Sequence, residues 1–213
     1  NNNGDVVAVS APYNNAVYMS DSGHTRVFYL SGDTWIQKGG NIEGVAVNDR
    51  SGYGPSSISL NGAGSIVAIG ALFHSGVTGH TRIFEYLSGS WVQKGSDLDG
   101  ESSGDRFGVS VSLSDDGLTV AIGAPHNDGV APNTGQVRVF YWSGTDWARR
   151  GGDIDGVMQG DGSGGSVSLS SDGSTVAIGA QGHDGQRGFV RVFSWSTNNW
   201  VQRGSDIDGV DAN

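Results

Sequence analysis

Runs in which apolar residues alternate with small or polar ones recur along this chain at a near-constant interval. "VAVSAP" (7–12), "VAIGAL" (67–72), "VAIGAP" (120–125) and "VAIGAQ" (176–181) are four copies of one phrase. Ahead of two of them stand "GVSVSLS" (108–114) and "GSVSLS" (165–170), in which apolar residues and serine alternate strictly. A period of two sends successive side chains to opposite faces, which is the signature of a half-buried β-strand. The intervening "DDG" and "SDG" suit a tight hairpin. A variable polar loop follows each phrase. A third apolar run comes next: "TRVFYL", "TRIFEYL", "QVRVFYW" or "FVRVFSW". A short turn then leads to a fourth: "WIQKG", "WVQKG", "WARRG" or "WVQRG". No segment places apolar residues at helical spacing, so the pattern predicts four antiparallel strands per unit.

The unit is set by its landmarks. Trp35, Trp91, Trp147 and Trp200 are 56, 56 and 53 residues apart. Each unit closes on a phrase of the form Asp-Ile-Asp-Gly, at 41–44, 97–100, 153–156 and 206–209. Units 45–100, 101–156 and 157–209 are complete, unit 1–44 lacks its opening third, and a further unit starts at 210–213. Four strands in roughly 50 residues is the pattern of a propeller blade. Solenoid repeats are usually shorter, and separate sandwiches would need longer units. The predicted class is therefore an all-β propeller of four-stranded antiparallel blades, about four of a larger set of six or seven. A self-closed four-bladed ring is the alternative. Unclosed blade edges would invite self-assembly by strand pairing. The start at "NNNGDVVAVS" fits a mature or excised segment.

Composition narrows the function. Among 213 residues there are 37 glycines and 4 prolines, as a turn-rich β protein needs. The net charge of −10 argues against nucleic acid, whose phosphates need clustered Lys and Arg. No apolar run approaches the roughly 20 residues that would insert into a membrane. With no cysteine, disulfides, thiolate zinc sites and Cys nucleophiles are excluded. No Walker motif, dinucleotide fingerprint or Gly-x-Ser-x-Gly elbow is present.

The stretch "GDRFGVSVSLSDDGLTVAIGAP" (104–125) resembles the FG-GAP repeat, with Phe107-Gly108 as the FG and Gly123-Ala124-Pro125 as the GAP. That repeat builds the propeller of integrin α subunits and of many surface proteins. The resemblance implies a propeller, an extracellular adhesion or ligand-binding role, and no catalysis. Calcium-binding members carry a long Asp-rich loop between the first two strands. Here that loop is only 114–117, 170–173 or 60–64, so the family's calcium site does not carry over.

Several residues could still carry chemistry. Asp97, Asp99 and Asp105, with Asp153, Asp155 and Asp161, and Asn41, Glu43 and Asp49, repeat at offsets of two and eight. Such oxygens could wrap a calcium ion, or accept backbone N–H groups in Gly-rich turns. His74, His126 and His183 sit near one loop position, with Asn127, Asp128 and Asp184 beside them; these are the candidate ligand-binding residues. His24 and His80 read as turn residues before the third strand. Arg26, Arg82, Arg138 and Arg191 repeat on the third strand, and Lys38, Lys94, Arg150 and Arg203 on the fourth. Regular spacing favours structure, by stacking on the blade's own Trp or pairing with a loop carboxylate. The Trp set could be a sugar platform or a seal on the blade edge. The expected function is a non-enzymatic extracellular adhesion or structural module with no cofactor, whose loops at 12–24, 72–80, 125–136 and 181–189 contact other proteins or surface glycans. A lectin-like propeller and a hydrolase using loop carboxylates are the alternatives.

Overall fold

In the computed structural model, which describes residues 1–16 and 18–210, the four units form four antiparallel sheets. Blade one holds β1 (Val6–Ala11), β2 (His24–Ser31), β3 (Thr34–Gln37) and β4 (Ile42–Glu43). Blade two holds β5 (Ile58–Leu60), β6 (Ile66–Ala71), α1 (His74–Val77), β7 (His80–Leu87), β8 (Ser90–Gln93) and β9 (Leu98–Asp99). Blade three holds β10 (Ser110–Leu113), β11 (Thr119–Ala124), β12 (Gln136–Trp142), β13 (Trp147–Arg149) and β14 (Ile154–Asp155). Blade four holds β15 (Ser163–Leu169), β16 (Thr175–Ala180), α2 (His183–Gln186), β17 (Phe189–Ser196), β18 (Asn199–Gln202) and β19 (Ile207–Asp208). The architecture is a partial β-propeller, as the repeat predicts.

Two details differ from the sequence reading. The fourth strand is longer than expected. In blade two β8 and β9 both pair with β7, at Phe84↔Gln93 and Thr81↔Leu98. Gly95, Ser96 and Asp97 bulge out between them, so the Asp-x-Asp-Gly phrase is the bulged continuation of strand four. The loops after strand two in blades two and four each contain a single helical turn, α1 and α2. Ser75, Gly76, Asp184 and Gly185 interrupt those turns with positive φ, so neither grows into a helix.

The core lies between blades. Ala121, Val137, Val139 and Ile154 of blade three pack on Val176, Ile178, Phe193 and Trp200 of blade four. Ile83 and Leu98 of blade two meet Phe107, Val120, Ile122 and Trp147 of blade three in the same way. A single blade is thus a thin sheet that buries its apolar faces only against neighbours.

The repeated phrase explains how blades come so close. A Cβ added at Gly123 would lie 2.0 Å from Gly164 O of the next blade, and one at Gly70 would lie 1.9 Å from Gly108 O. Gly108 itself has φ +90°, a conformation that favours glycine. The FG turn of one blade is thereby seated in the small-residue notch of the blade before it. Ser110 Oγ donates to Gly164 O at 2.7 Å across the same seam. Phe107 is wholly buried at the seam between blades two and three.

Two side-chain ties repeat at each junction. The Nε1 of Trp91, Trp147 and Trp200 donates to Lys38 O, Lys94 O and Arg150 O of the preceding blade, each at 2.7 Å. Arg82, Arg138 and Arg191 donate to Glu43 O, Asp99 O and Asp155 O of the preceding blade, at 2.6 to 2.7 Å. These indoles are therefore wedges between blades, and Trp147 and Trp200 are buried. For Trp91, Trp147 and Trp200 this corrects the sugar-platform reading, while Trp35 is exposed. The arginines do not stack on their own blade's Trp as expected. Each lies over a Phe on its own strand, Arg82 over Phe84 and Arg191 over Phe193, while Arg138 sits 4.0 Å from the Phe107 ring. Arg138 also meets one loop carboxylate, Glu101, at 3.4 Å. The strand-four cations reach forward: Lys38 over Tyr86, Lys94 over Trp142 and Arg150 over Trp195.

Candidate functional site

The loops after strand two and those leading into strand one meet on one face. Asp49, Asp105 and Asp161 anchor this face from below, all three buried. Each caps its own loop: Asp49 accepts from Ala46 N at 2.8 Å, Asp105 from Ser102 N at 3.0 Å and Asp161 from Met158 N at 2.8 Å. Each also holds the loop after strand two. His74 Nδ1 lies 3.0 Å from Asp49, Asn127 Nδ2 donates to Asp105 at 2.9 Å, and His183 Nδ1 lies 2.8 Å from Asp161. Burial works to raise the Asp161 carboxyl. The N–H groups of Met158 and Val157 and the His183 ring outweigh it and hold the acid below its ordinary range.

The other acidic positions are spread along the bulge. Asp97 accepts from Gln93 Nε2 at 2.6 Å, and Asp153 accepts from Gln136 Nε2 at 3.1 Å and pairs with Arg149. Asp99 and Asp155 lend their backbone carbonyls to the next blade's arginine. Among the described residues, neither the Asp97, Asp99, Asp105 set nor the Asp153, Asp155, Asp161 set gathers its oxygens around one point. Among the described residues, the group whose ligand atoms converge is Asp49, His74 and His80, all within 4.8 Å of one another. Sequence spacing alone missed it, because His80 lies on β7 while Asp49 lies in the loop before β5. The His74 and His80 rings stack face to face at 3.9 Å, 11° from parallel. Blade four keeps the His183–Asp161 pair with Phe189 in place of His80, so the pair serves loop structure without a third member.

His24 and His80 are not turn residues; each opens a third strand, and His80 is buried. Burial, with His74 and Arg82 nearby, pushes His80 down to about 3, against a smaller pull upward from Asp97. The folded protein therefore keeps this ring neutral, while the unfolded chain takes up a proton below about 6.5. Stability from this group is complete above that value and is lost as pH falls toward 3. His80→Phe, which copies blade four, is expected to flatten the decline of urea-unfolding free energy between those pH values. An unchanged slope would show that another group sets it.

A groove of about 460 Å³ opens between the loops of blades two and three. Gly76, Ser103, Arg106, His126, Asp128 and Asn133 line it. Burial, then Arg106, lowers the His126 pKa. Of the candidate ligand-binding residues, His126 and Asp128 share this groove, Asn127 is buried beneath it on Asp105, and His74 lies apart on Asp49. His183 and Asp184 line a separate, smaller cleft of about 210 Å³.

The chain is thus a repeat protein of the β-propeller class. Residues 93–140, running from the end of β8 through most of β12, match the FG-GAP repeat family, and this stretch is an FG-GAP repeat. No curated protein matches the chain. Among solved structures, it is similar to a candidate 6-phosphogluconolactonase from Bacteroides uniformis, at 12% identity and a TM-score of 0.58, over 87% of this chain and 49% of that one. It is also similar to hydrazine synthase from Kuenenia stuttgartiensis, at 12% identity and a TM-score of 0.53, over 87% and 45%. The chain spans about half the length of those structures. At such identity the likeness concerns the fold. Among the described residues no helix is long and apolar enough to cross a membrane.

Proposed function

We propose that this chain is a non-catalytic interaction module of an extracellular or cell-surface protein, binding a partner protein through its loop face. The observation that supports this reading is the contrast between framework and loops. The blades repeat their interior and junction residues, whereas the loops after strand two differ in length and chemistry. Variable loops on a rigid β framework suit recognition. The groove between blades two and three offers a cation, an imidazole and a carboxylate side by side, the set that reads polar protein surfaces. The FG-GAP repeat favours the extracellular setting.

A glycan reading has one observation of its own. Tyr141, Trp142, Arg149 and Trp195 line an open groove of about 570 Å³ on the outer rim between blades three and four. The test is binding of the immobilised chain to surface-exposed proteins and to a glycan array. Arg106→Glu with His126→Ala is expected to abolish protein binding, in the presence or absence of EDTA. Loss on Tyr141→Ala instead, with the loop variant intact, would favour the sugar. Turnover of any hydrolysable substrate that Asp153→Asn abolishes would overturn the non-catalytic reading.

A further inference from the structure

Blade two departs from its neighbours at the residue that opens its third strand. The ladder fixes which positions correspond: His80 pairs with Asp99 as Gln136 pairs with Asp155 and Phe189 with Asp208. In blade three, Gln136 Nε2 donates to Asp153 and Asp155. In blade four, Phe189 has no polar side-chain atom to satisfy. In blade two, His80 is 1% exposed, and its Nδ1 is buried with no hydrogen-bond partner among the described residues. An oxygen of Asp97 stands 3.6 Å from that atom, beyond hydrogen-bond reach. Leaving a buried polar nitrogen unpaired costs free energy, so loop structure alone does not account for a histidine here.

The side chains around this ring are of metal-ligand type. Asp49 is buried, with Oδ1 3.0 Å from His74 Nδ1 and Oδ2 accepting from Ala46 N. One ligand atom each from Asp49, His74 and His80 meet within 4.8 Å. The His74 side chain is 24% exposed, so the cluster has one side open to solvent. All three residues belong to blade two, which packs on blade one and on blade three. Blade four shows what the carboxylate and the first imidazole do by themselves: His183 and Asp161 hold the same two loops together beside a phenylalanine. The second imidazole is the feature added in blade two.

We propose that Asp49, His74 and His80 bind a divalent transition-metal ion of the zinc type, with water in the fourth position. Two imidazoles and a carboxylate suit zinc, nickel or copper, whereas calcium takes oxygen ligands. Ligands held at 2.0–2.1 Å in a tetrahedron stand about 3.3 Å apart, so the cluster closes by up to about 1.5 Å on binding. The near-parallel stack of the two rings also opens, so that both nitrogens face one point. His74 is the member placed to move. It lies at the surface in α1, a single turn interrupted by the positive φ of Ser75 and Gly76. The bound ion ties the entry loop at 45–49 and the loop at 72–80 to β7. The site uses neither Arg106 nor His126, so this inference stands or falls apart from the proposed function.

Isothermal titration of the untagged chain with zinc chloride tests it, with circular dichroism to check that each variant is folded. Wild type is expected to bind one zinc ion per chain, displaced by nickel and unaffected by excess calcium. His80→Phe copies blade four at this position and is expected to fold. It is expected to weaken zinc binding at least about 100-fold, since changes behind the ligands alone typically cost 10- to 100-fold. His74→Ala, at the surface, is expected to do the same. His183→Ala, which breaks the matching pair of blade four, is expected to leave zinc binding unchanged. Saturating zinc is expected to raise the melting temperature of wild type and not that of His80→Phe. A wild type that binds no zinc, equal affinity in wild type and His80→Phe, or binding lost in His183→Ala would each overturn the proposal.

Discussion

Trp147→Ala is expected to lower the unfolding free energy by about 3–5 kcal/mol, the cost of deleting a buried large aromatic. The indole is buried between blades two and three and belongs to their shared apolar cluster. Its Nε1 satisfies Lys94 O, and Lys94 Nζ lies 4.5 Å above the Trp142 ring beside it. Truncation therefore leaves a cavity and an unpaired carbonyl at one seam. Trp35→Ala removes the same side chain at the same register from a face that no described blade covers, where it is 46% exposed. In dilute solution that variant is expected to cost about 1 kcal/mol or less, in line with surface substitutions. Urea unfolding of both variants checks the contrast. Equal losses would mean that the indole stabilises its own blade and that the junction matters little.

Gly123→Ala is expected to cost about 3 kcal/mol, at the upper end for an overpacked interior site. The added methyl would meet Gly164 O at 2.0 Å and Ser110 Oγ at 2.4 Å. The first of these is backbone of the next blade, so relief requires the two blades to part. Gly179→Ala places a methyl at the same point of blade four. There the close neighbour is the Ser166 hydroxyl at 2.4 Å, the end of a side chain that can rotate. That variant is expected to change stability by less than about 1 kcal/mol, or to raise it slightly through the unfolded state. For a chain of this size the first substitution corresponds to a fall in melting temperature of about 6–12 °C. Calorimetry on the pair of variants reads the difference directly. A small effect at Gly123 would show that the seam yields easily.

Much of the fold is legible in the chain because its signals are local. Alternating Ser and apolar residues at 110–113 and the "SDG" turn at 171–173 report pleat and hairpin without reference to distant residues. The four-strand unit and its place in a propeller follow from repetition of those signals. What joins blade to blade is far less legible, since it depends on contacts 36 to 53 residues apart. The Trp147 partner is Lys94 O, and a backbone carbonyl leaves no mark on sequence. Arg138 looks equally suited to a carboxylate or an indole; it takes the Asp99 carbonyl because the bulge turns that carbonyl toward the next blade. The Asp-Ile-Asp-Gly phrase reads as an acidic turn, yet its two central residues are strand, paired at Val137↔Ile154. The site shows the same division. Asp105, Asn127 and His126 belong to one loop cluster, as their repeat positions suggest. The stacking of His80 on His74 came from a strand position that sequence reading took for a turn.

Every seam pairs an indole N–H and a guanidinium with two backbone carbonyls, so mating surfaces at different positions in the row share the same donors and acceptors. Loss or gain of one whole unit of about 56 residues, the interval between Trp35 and Trp91, would leave matched neighbours on both sides of the change. A deletion of any other length would bring a donor face against a sheet in the wrong register. Variation in length among proteins of this design is therefore expected to come in whole-unit steps, set by the geometry of the seam itself.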